Sequence, residues 1–217
     1  MRRSVHALAS TGEYVAMMAA ENERQLWVFA YGSLMWRTPP GVLVRRKEEA
    51  TLQGFERSFC VASRNYRGTA EAPGLVLGLE PSVGTCHGLA IGLGRPSCSQ
   101  SRQSLELIDA QEMIAHSNPL PVYLRHLVTL VRKDHGSSES SLIRAIAYTA
   151  NPAKGANAPR ELAAAERAEI IARAHGERGS NRDYFHQTAA QLAALGIRDE
   201  QLEKLASHLE VRQSTPS

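Results

Sequence analysis

Three cysteines in 217 residues, Cys60, Cys86 and Cys98, show no C-x-x-C spacing. An odd count without a framework excludes a disulfide scaffold and suits a reducing cytoplasm. An excess of one charge sign is also missing: 25 Lys and Arg against 22 Asp and Glu leave a formal net charge of +3. The densest basic run, Arg45-Arg46-Lys47, is followed at once by Glu48-Glu49, so nothing here argues for nucleic acid. Long apolar runs are absent. The stretch from Tyr14 to Ala20 is preceded by Glu13 and ended by Glu21. It is too short for a membrane span and poorly placed for a signal peptide, and a terminal helix is expected there. No Gly-rich phosphate loop or dinucleotide fingerprint occurs. Cys86-His87 are adjacent, and His116, His126 and His135 form no ligand pattern, so no metal and no cofactor are expected.

What is present is ordinary globular usage, 43% hydrophobic and 22% charged, enough to build a core. The organisation expected is an N-terminal extension (1–24), a single domain (25–212) and a polar tail (213–217). Strand-like segments arrive in series. Leu26 to Tyr31 is one, and Phe55 to Ala62 alternates with period two. Leu75 to Leu79, Cys86 to Leu93, Val122 to Val131 and Ile143 to Thr149 follow. Turn signals separate them at Arg67-Gly68, Ala72-Pro73-Gly74, Pro81 to Gly84 and Gly136 to Ser141.

A helix from about Ser99 to Ala115 interrupts the strands. After a loop from Asn151 to Pro159 the chain turns helical. Ala163, Ile170, Ile171 and Ala174 share one face. Ser180 with Asp183 marks a second helix start, Gly196 a stop and Asp199 a third start. Many strands, one embedded helix and a helical C-terminal segment are not the alternation of a doubly wound fold. They predict an α+β domain with a curled or barrel-like sheet.

Two places carry chemistry. The strand in "VFAYGSLMW" ends in Gly32-Ser33 and returns to bulk at Leu34 and Trp36. Such a turn is either a bend or a cradle whose N–H groups face an anion. Ser33 lacks the third residue of a G-x-S-x-G elbow. On the embedded helix, Leu105, Ile108 and Glu112 fall at i, i+3 and i+7, on one face. A carboxylate there is costly unless bonded or protonated, and burial moves its proton affinity toward the range of a general acid/base. Leu107, Ala110 and Ile114 mark a second apolar face, and burial of that face instead leaves Glu112 at the surface.

In order along the chain, "VFAYGSLMW", "SRNYRGTAEAPGLVLGLE", "CHGLAIGL", "IDAQEMI" and "GERGSNRDYFHQTAAQLAALGIRDEQLEKL" resemble the ChaC-type γ-glutamylcyclotransferases. The resemblance runs from about Trp27 to Leu209. It implies the γ-glutamylcyclotransferase-like fold, a small mixed β-barrel with flanking helices. It implies cleavage of glutathione, or a related γ-glutamyl peptide, to 5-oxoproline and cysteinylglycine without metal or cofactor. The family's Tyr-Gly-Ser-Leu loop falls on Tyr31, Gly32, Ser33 and Leu34, lining the γ-glutamyl pocket, and its catalytic glutamate falls on Glu112. The His-Arg-Gly segment falls on Tyr66, Arg67 and Gly68, and Asn-x-x-Tyr falls on Asn181 and Tyr184. Arg67 then meets either the glycine-end carboxylate or an internal acid, and Tyr184 is a further binding residue. The chain departs from the pattern at Gln111, where Arg is usual, and at Ile91-Gly92, where Tyr-Arg is frequent. A tyrosine beyond the glutamate is displaced, with Tyr123 the nearest. These departures keep open a non-catalytic γ-glutamyl-binding protein of the same fold. The expected state is a cytoplasmic monomer or weak dimer.

Overall fold

The structure, a computed structural model, describes residues 6–21, 23–113, 121–133, 140–152 and 162–211. The expectations at Ile114, Ala115, His116, His135 and the segments 136–139, 153–159 and 213–217 lie outside them. The described chain divides into two compact units. One holds the described residues of Met1–Arg57 and Leu79–Asn151, the other those of Ser58–Gly78 and Pro152–Ser217.

The first unit is built on strands. The all-apolar segment β2 (Leu26–Ala30) is buried on both faces, as a central strand with neighbours on each side should be. It pairs antiparallel with β4 (Gly74–Gly94), Val28 opposite Ile91, and parallel with β6 (Ser140–Ala150), Val28 opposite Ile146. The antiparallel partner of β6 is β5 (Tyr123–Lys133), in register from Tyr123 opposite Ala150 to Lys133 opposite Ser140. β5 in turn pairs with β3 (Arg46–Ser63), Ala50 opposite Arg132, and β3 neighbours β4. The order β5-β3-β4-β2-β6 returns to β5. The result is a closed, barrel-like ring of five strands, which removes the exposed edges of an open sheet. This is the small barrel expected from the strand series. A short β1 (His6–Ala7) lies beside β5.

Two expectations are corrected. The turn foreseen at Pro81 to Gly84 is absent, and a single strand runs through Gly74–Gly94. Residues 81, 83, 84 and 85 are exposed, and a proline fits a strand where its missing N–H faces solvent. The period-two pattern of Phe55 to Ala62 fails after Glu56, because Arg57 to Val61 are all buried.

The terminal helix is present as α1 (Thr11–Ala20), with the Ser10 side chain accepting from the Glu13 N–H. Tyr14 and Met18 are fully buried. The Tyr14 hydroxyl accepts from the Trp27 N–H at 3.0 Å and lies 3.2 Å from the carbonyls of Trp27 and Arg144. This ties the segment before β2 to two strands. Tyr14→Phe leaves the buried Trp27 N–H without its acceptor, and an expected loss of about 1–3 kcal/mol is measurable by urea unfolding.

The second unit is mainly helical: α3 (Ala164–Arg173), α4 (Asn181–Ala194) and α5 (Glu200–Val211). A hairpin of β7 (His175–Gly176) and β8 (Gly179–Ser180) joins α3 to α4. Ala168 and Ile171 are the buried residues of α3 and Ala174 is buried just beyond it, whereas Ile170 is half-buried and Ala163 is exposed because the helix starts only after it. Ser180 caps α4, accepting from the Asp183 N–H at 2.9 Å. Gly196, at φ 65°, ends the helix in the left-handed region that favours glycine. Asp199 accepts from the Leu202 N–H, and Leu202, Leu205 and Leu209 are the buried face of α5.

Candidate active site

The chain leaves β2 at Tyr31 and makes one 3₁₀ turn, Ser33–Met35. The turn is closed by N–H groups of Met35, Trp36 and Arg37 donating to carbonyls of Gly32 and Ser33. Those of Gly32, Ser33 and Leu34 are not among its donors. Tyr31, Gly32, Leu34 and Met35 are buried and Ser33 is half-buried. Met35 fills the core more fully than the expected Trp36, which is half-buried. Gly32 has φ −136°, so a left-handed backbone is not what places glycine here.

Cations hold both ends of the turn. Arg57, only 2% exposed, donates to the Tyr31 carbonyl at 2.8 Å and also to that of His87. Lys47 donates to the Met35 carbonyl at 3.1 Å. Charged donors on neutral acceptors make stronger than ordinary hydrogen bonds, and they leave positive charge beside the turn. β4 approaches closely here: a Cβ on Gly88 would stand 2.4 Å from the Ala30 carbonyl oxygen.

Glu112 ends α2 (Ser99–Glu112). Leu105 and Ile108 are fully buried, whereas Leu107 is half-buried and Ala110 exposed. The stripe leading to Glu112 is therefore the one that packs inward. Glu112 itself is half-buried, and the Gln111 side-chain amide donates to its Oε1 at 3.1 Å. One turn earlier, Asp109 accepts from both Nε and Nη2 of Arg125 on β5 and lies 3.3 Å from the Tyr148 hydroxyl of β6, which donates to it. Burial pushes the Tyr148 phenol well above its usual range, and the charges of Asp109 and Glu112 push it further. The hydrogen bond to Asp109 likewise raises the proton affinity of Arg125. The Tyr148 carbonyl accepts the Tyr31 hydroxyl at 2.7 Å. Tyr148 therefore touches the residue that opens the turn and feels the charge of Glu112.

Sequence reasoning missed Arg57, Asp109, Arg125 and Tyr148. Only Asp109 carried a local signal, three residues before Glu112 on a helix. The others lie in strands distant in sequence.

Arg67 and Tyr184 belong to the second unit. Arg67 is 5% exposed, donates to the Ser180 carbonyl at 3.1 Å and stands over the Tyr184 ring, 5.4 Å from its centroid. The Tyr184 ring meets Phe59 edge-on, and its oxygen accepts from the Leu77 N–H at 3.3 Å. Asn181, fully buried, accepts from the Leu75 N–H and donates to the Leu75 carbonyl. The loop before Arg67 pairs with the hairpin: Glu177 and Arg178 donate their N–H groups to the carbonyls of Asn65 and Tyr66. Among the described residues no three His, Cys, Asp or Glu side chains gather into a metal set. No helix there is long and apolar enough to cross a membrane.

A closed five-stranded ring with flanking helices and a short turn at the end of its central strand is the γ-glutamylcyclotransferase-like architecture. A yeast structure described as a γ-glutamyl cyclotransferase specific to glutathione shares it, with TM-score 0.69 and 20% identity over 86% of this chain and 97% of that one. The chain belongs to the ChaC-like protein family, which it matches over residues 26–212. It is 30% identical over 184 residues to the glutathione-specific γ-glutamylcyclotransferase of Escherichia coli K12, covering 85% of this chain and 72% of that one. It is 29% identical over 191 residues to γ-glutamylcyclotransferase 2-3 of Arabidopsis thaliana, covering 85% and 88%.

Proposed function

We propose that this chain is a glutathione-specific γ-glutamylcyclotransferase, a lyase of the cytoplasm that releases 5-oxoproline and cysteinylglycine, with Glu112 as its general acid/base. The observation that carries the reading is the meeting on Tyr148. Its carbonyl takes the hydroxyl of Tyr31, and its phenol feels the charge of Glu112. Tyr148 thus supports the reading by linking to the turn through its backbone and to the acid through its ring.

In this mechanism Glu112 takes a proton from the substrate's α-ammonium group. The freed amine attacks the γ-carbonyl carbon, forming the C–N bond of a five-membered ring and a tetrahedral oxyanion. The bond to the cysteinyl nitrogen then breaks as Glu112 returns a proton to it. Over the whole reaction two protons leave the attacking nitrogen and two arrive on the leaving one. A carboxylate that both takes and gives a proton suits that traffic.

The attack is intramolecular, so folding the γ-glutamyl arm into reach is the main task, and such alignment is worth on the order of 7–11 kcal/mol. The N–H groups of Gly32, Ser33 and Leu34 supply donors for the α-carboxylate or the oxyanion, at about 3–4 kcal/mol for an oxyanion donor. Arg57 and Lys47 add positive charge behind them. The role of Arg67 and Tyr184 in holding substrate rests on the resemblance of their motifs. Their described contacts also give each a structural task.

Incubation of the purified chain with glutathione, with chromatographic assay of 5-oxoproline and cysteinylglycine, tests the reading. Equimolar formation of both products is the expected outcome. Glutathione binding in a calorimeter without product would instead make it a γ-glutamyl-binding protein of the same fold.

A further inference from the structure

We propose that Asp109, gripped by Arg125 and Tyr148, is a positioning residue that sets the charge state of Glu112. The inference rests on the acid/base reading of Glu112 and adds a residue to it. Asp109 and Glu112 are three residues apart on α2, a spacing that makes helical side chains neighbours. Their surroundings differ. Asp109 receives a two-point Arg125 grip with both side chains poorly solvated, 13% and 17% exposed. Glu112 receives the neutral amide of Gln111. Arg125 from β5 and Tyr148 from β6 face Asp109, and the charge of Glu112 also acts on that phenol.

The grip is anchored outside the catalytic helix. Arg125 Nη1 also donates to the carbonyls of Leu8 at 3.3 Å and Ala9 at 2.7 Å. Those residues precede the part of the chain that matches the family. Asp109 is therefore a junction. β5 and the N-terminal segment hold it through Arg125, and β6 holds it through the residue that accepts the Tyr31 hydroxyl. An Asp–Arg pair this close nearly cancels at a distance, so Glu112 stands one helical turn from a balanced pair. Unbalancing the pair in either sense shifts Glu112 in opposite senses.

The experiment compares Asp109→Asn, Arg125→Gln and Arg125→Lys. The Glu112 carboxyl is followed by ¹³C NMR in glutamate-labelled protein, assigned by the signal lost in Glu112→Gln. In parallel, the acidic limb of kcat/KM for 5-oxoproline formation is recorded. Asp109→Asn leaves the Arg125 cation uncompensated, favours ionised Glu112 and moves both midpoints to lower pH. Arg125→Gln leaves the Asp109 anion uncompensated and moves them to higher pH. Each shift is expected to be about half a pH unit to one unit, the scale of one nearby charge at a partly solvated site.

Arg125→Lys keeps the charge and leaves the midpoint in place. If Arg125→Gln does not fold, a lowered midpoint in Asp109→Asn beside an unmoved one in Arg125→Lys carries the same result. Midpoints that move together, or that stay fixed in folded variants, overturn the proposal. A wild-type chain that forms no 5-oxoproline overturns the functional reading instead, and the NMR titration still decides the coupling.

Discussion

Glu112→Gln is expected to form 5-oxoproline about 10²- to 10⁴-fold more slowly than the wild type, the usual loss when a positioned acid/base is removed. The amide is nearly isosteric and keeps an oxygen for the Gln111 donor, so the local packing survives. In the proposed mechanism it loses the ability to take a proton from the α-ammonium group and return one to the departing nitrogen. Both events belong to the bond-making and bond-breaking steps, so kcat should fall while KM changes little. Because the side chain is half-buried at the helix end, unfolding in urea should shift by no more than about 0.5 kcal/mol. Activity within tenfold of wild type would remove Glu112 from the mechanism.

The largest effect on stability is expected at Asn181. Asn181→Ala should cost about 2–5 kcal/mol, read from the urea midpoint. The side chain is fully buried and meets both backbone groups of Leu75, at 2.6 Å to the N–H and 2.7 Å to the carbonyl. Alanine leaves both polar groups buried and bare, at about 1–3 kcal/mol each. Tyr184, one helical turn on, accepts from the N–H of Leu77. Residues 75 and 77 present these groups on one edge of the strand, and α4 meets them with side chains at i and i+3, so the helix stands in for a neighbouring strand. The motif match at Asn181 and Tyr184 thus has a structural side beside its expected part in binding. Asn181→Asp is the informative control. It keeps the acceptor for the Leu75 N–H but sets a carboxylate against the Leu75 carbonyl, so it should also destabilise. A loss below 1 kcal/mol in the alanine variant would contradict this account.

Much of this was legible in local patterns. The unbroken apolar run before Tyr31, the Leu105 and Ile108 stripe, the Ser180 cap and the Gly196 stop each reflect an interaction within a few residues. Periodicity and turn chemistry report such interactions directly. Pro81 to Gly84 misled for the same reason: local turn chemistry there yielded to pairing within a long strand. The alternation of Phe55 to Ala62 failed because Arg57 and its neighbours are enclosed on both sides, which a local pattern cannot register.

From its sequence alone this protein is determined as an α+β chain with a turn after its first long apolar strand and a carboxylate in line with the apolar residues of an amphipathic helix. These follow from spacing along one strand and one helix. Tertiary structure alone decided that the strands close into a ring, that Arg57 holds the start of the turn, and that Arg125 and Tyr148 meet Asp109 one helical turn before Glu112. Those contacts join residues 16 to 39 positions apart within that network. Their energies depend on burial and charge proximity, which exist only once the strands have assembled.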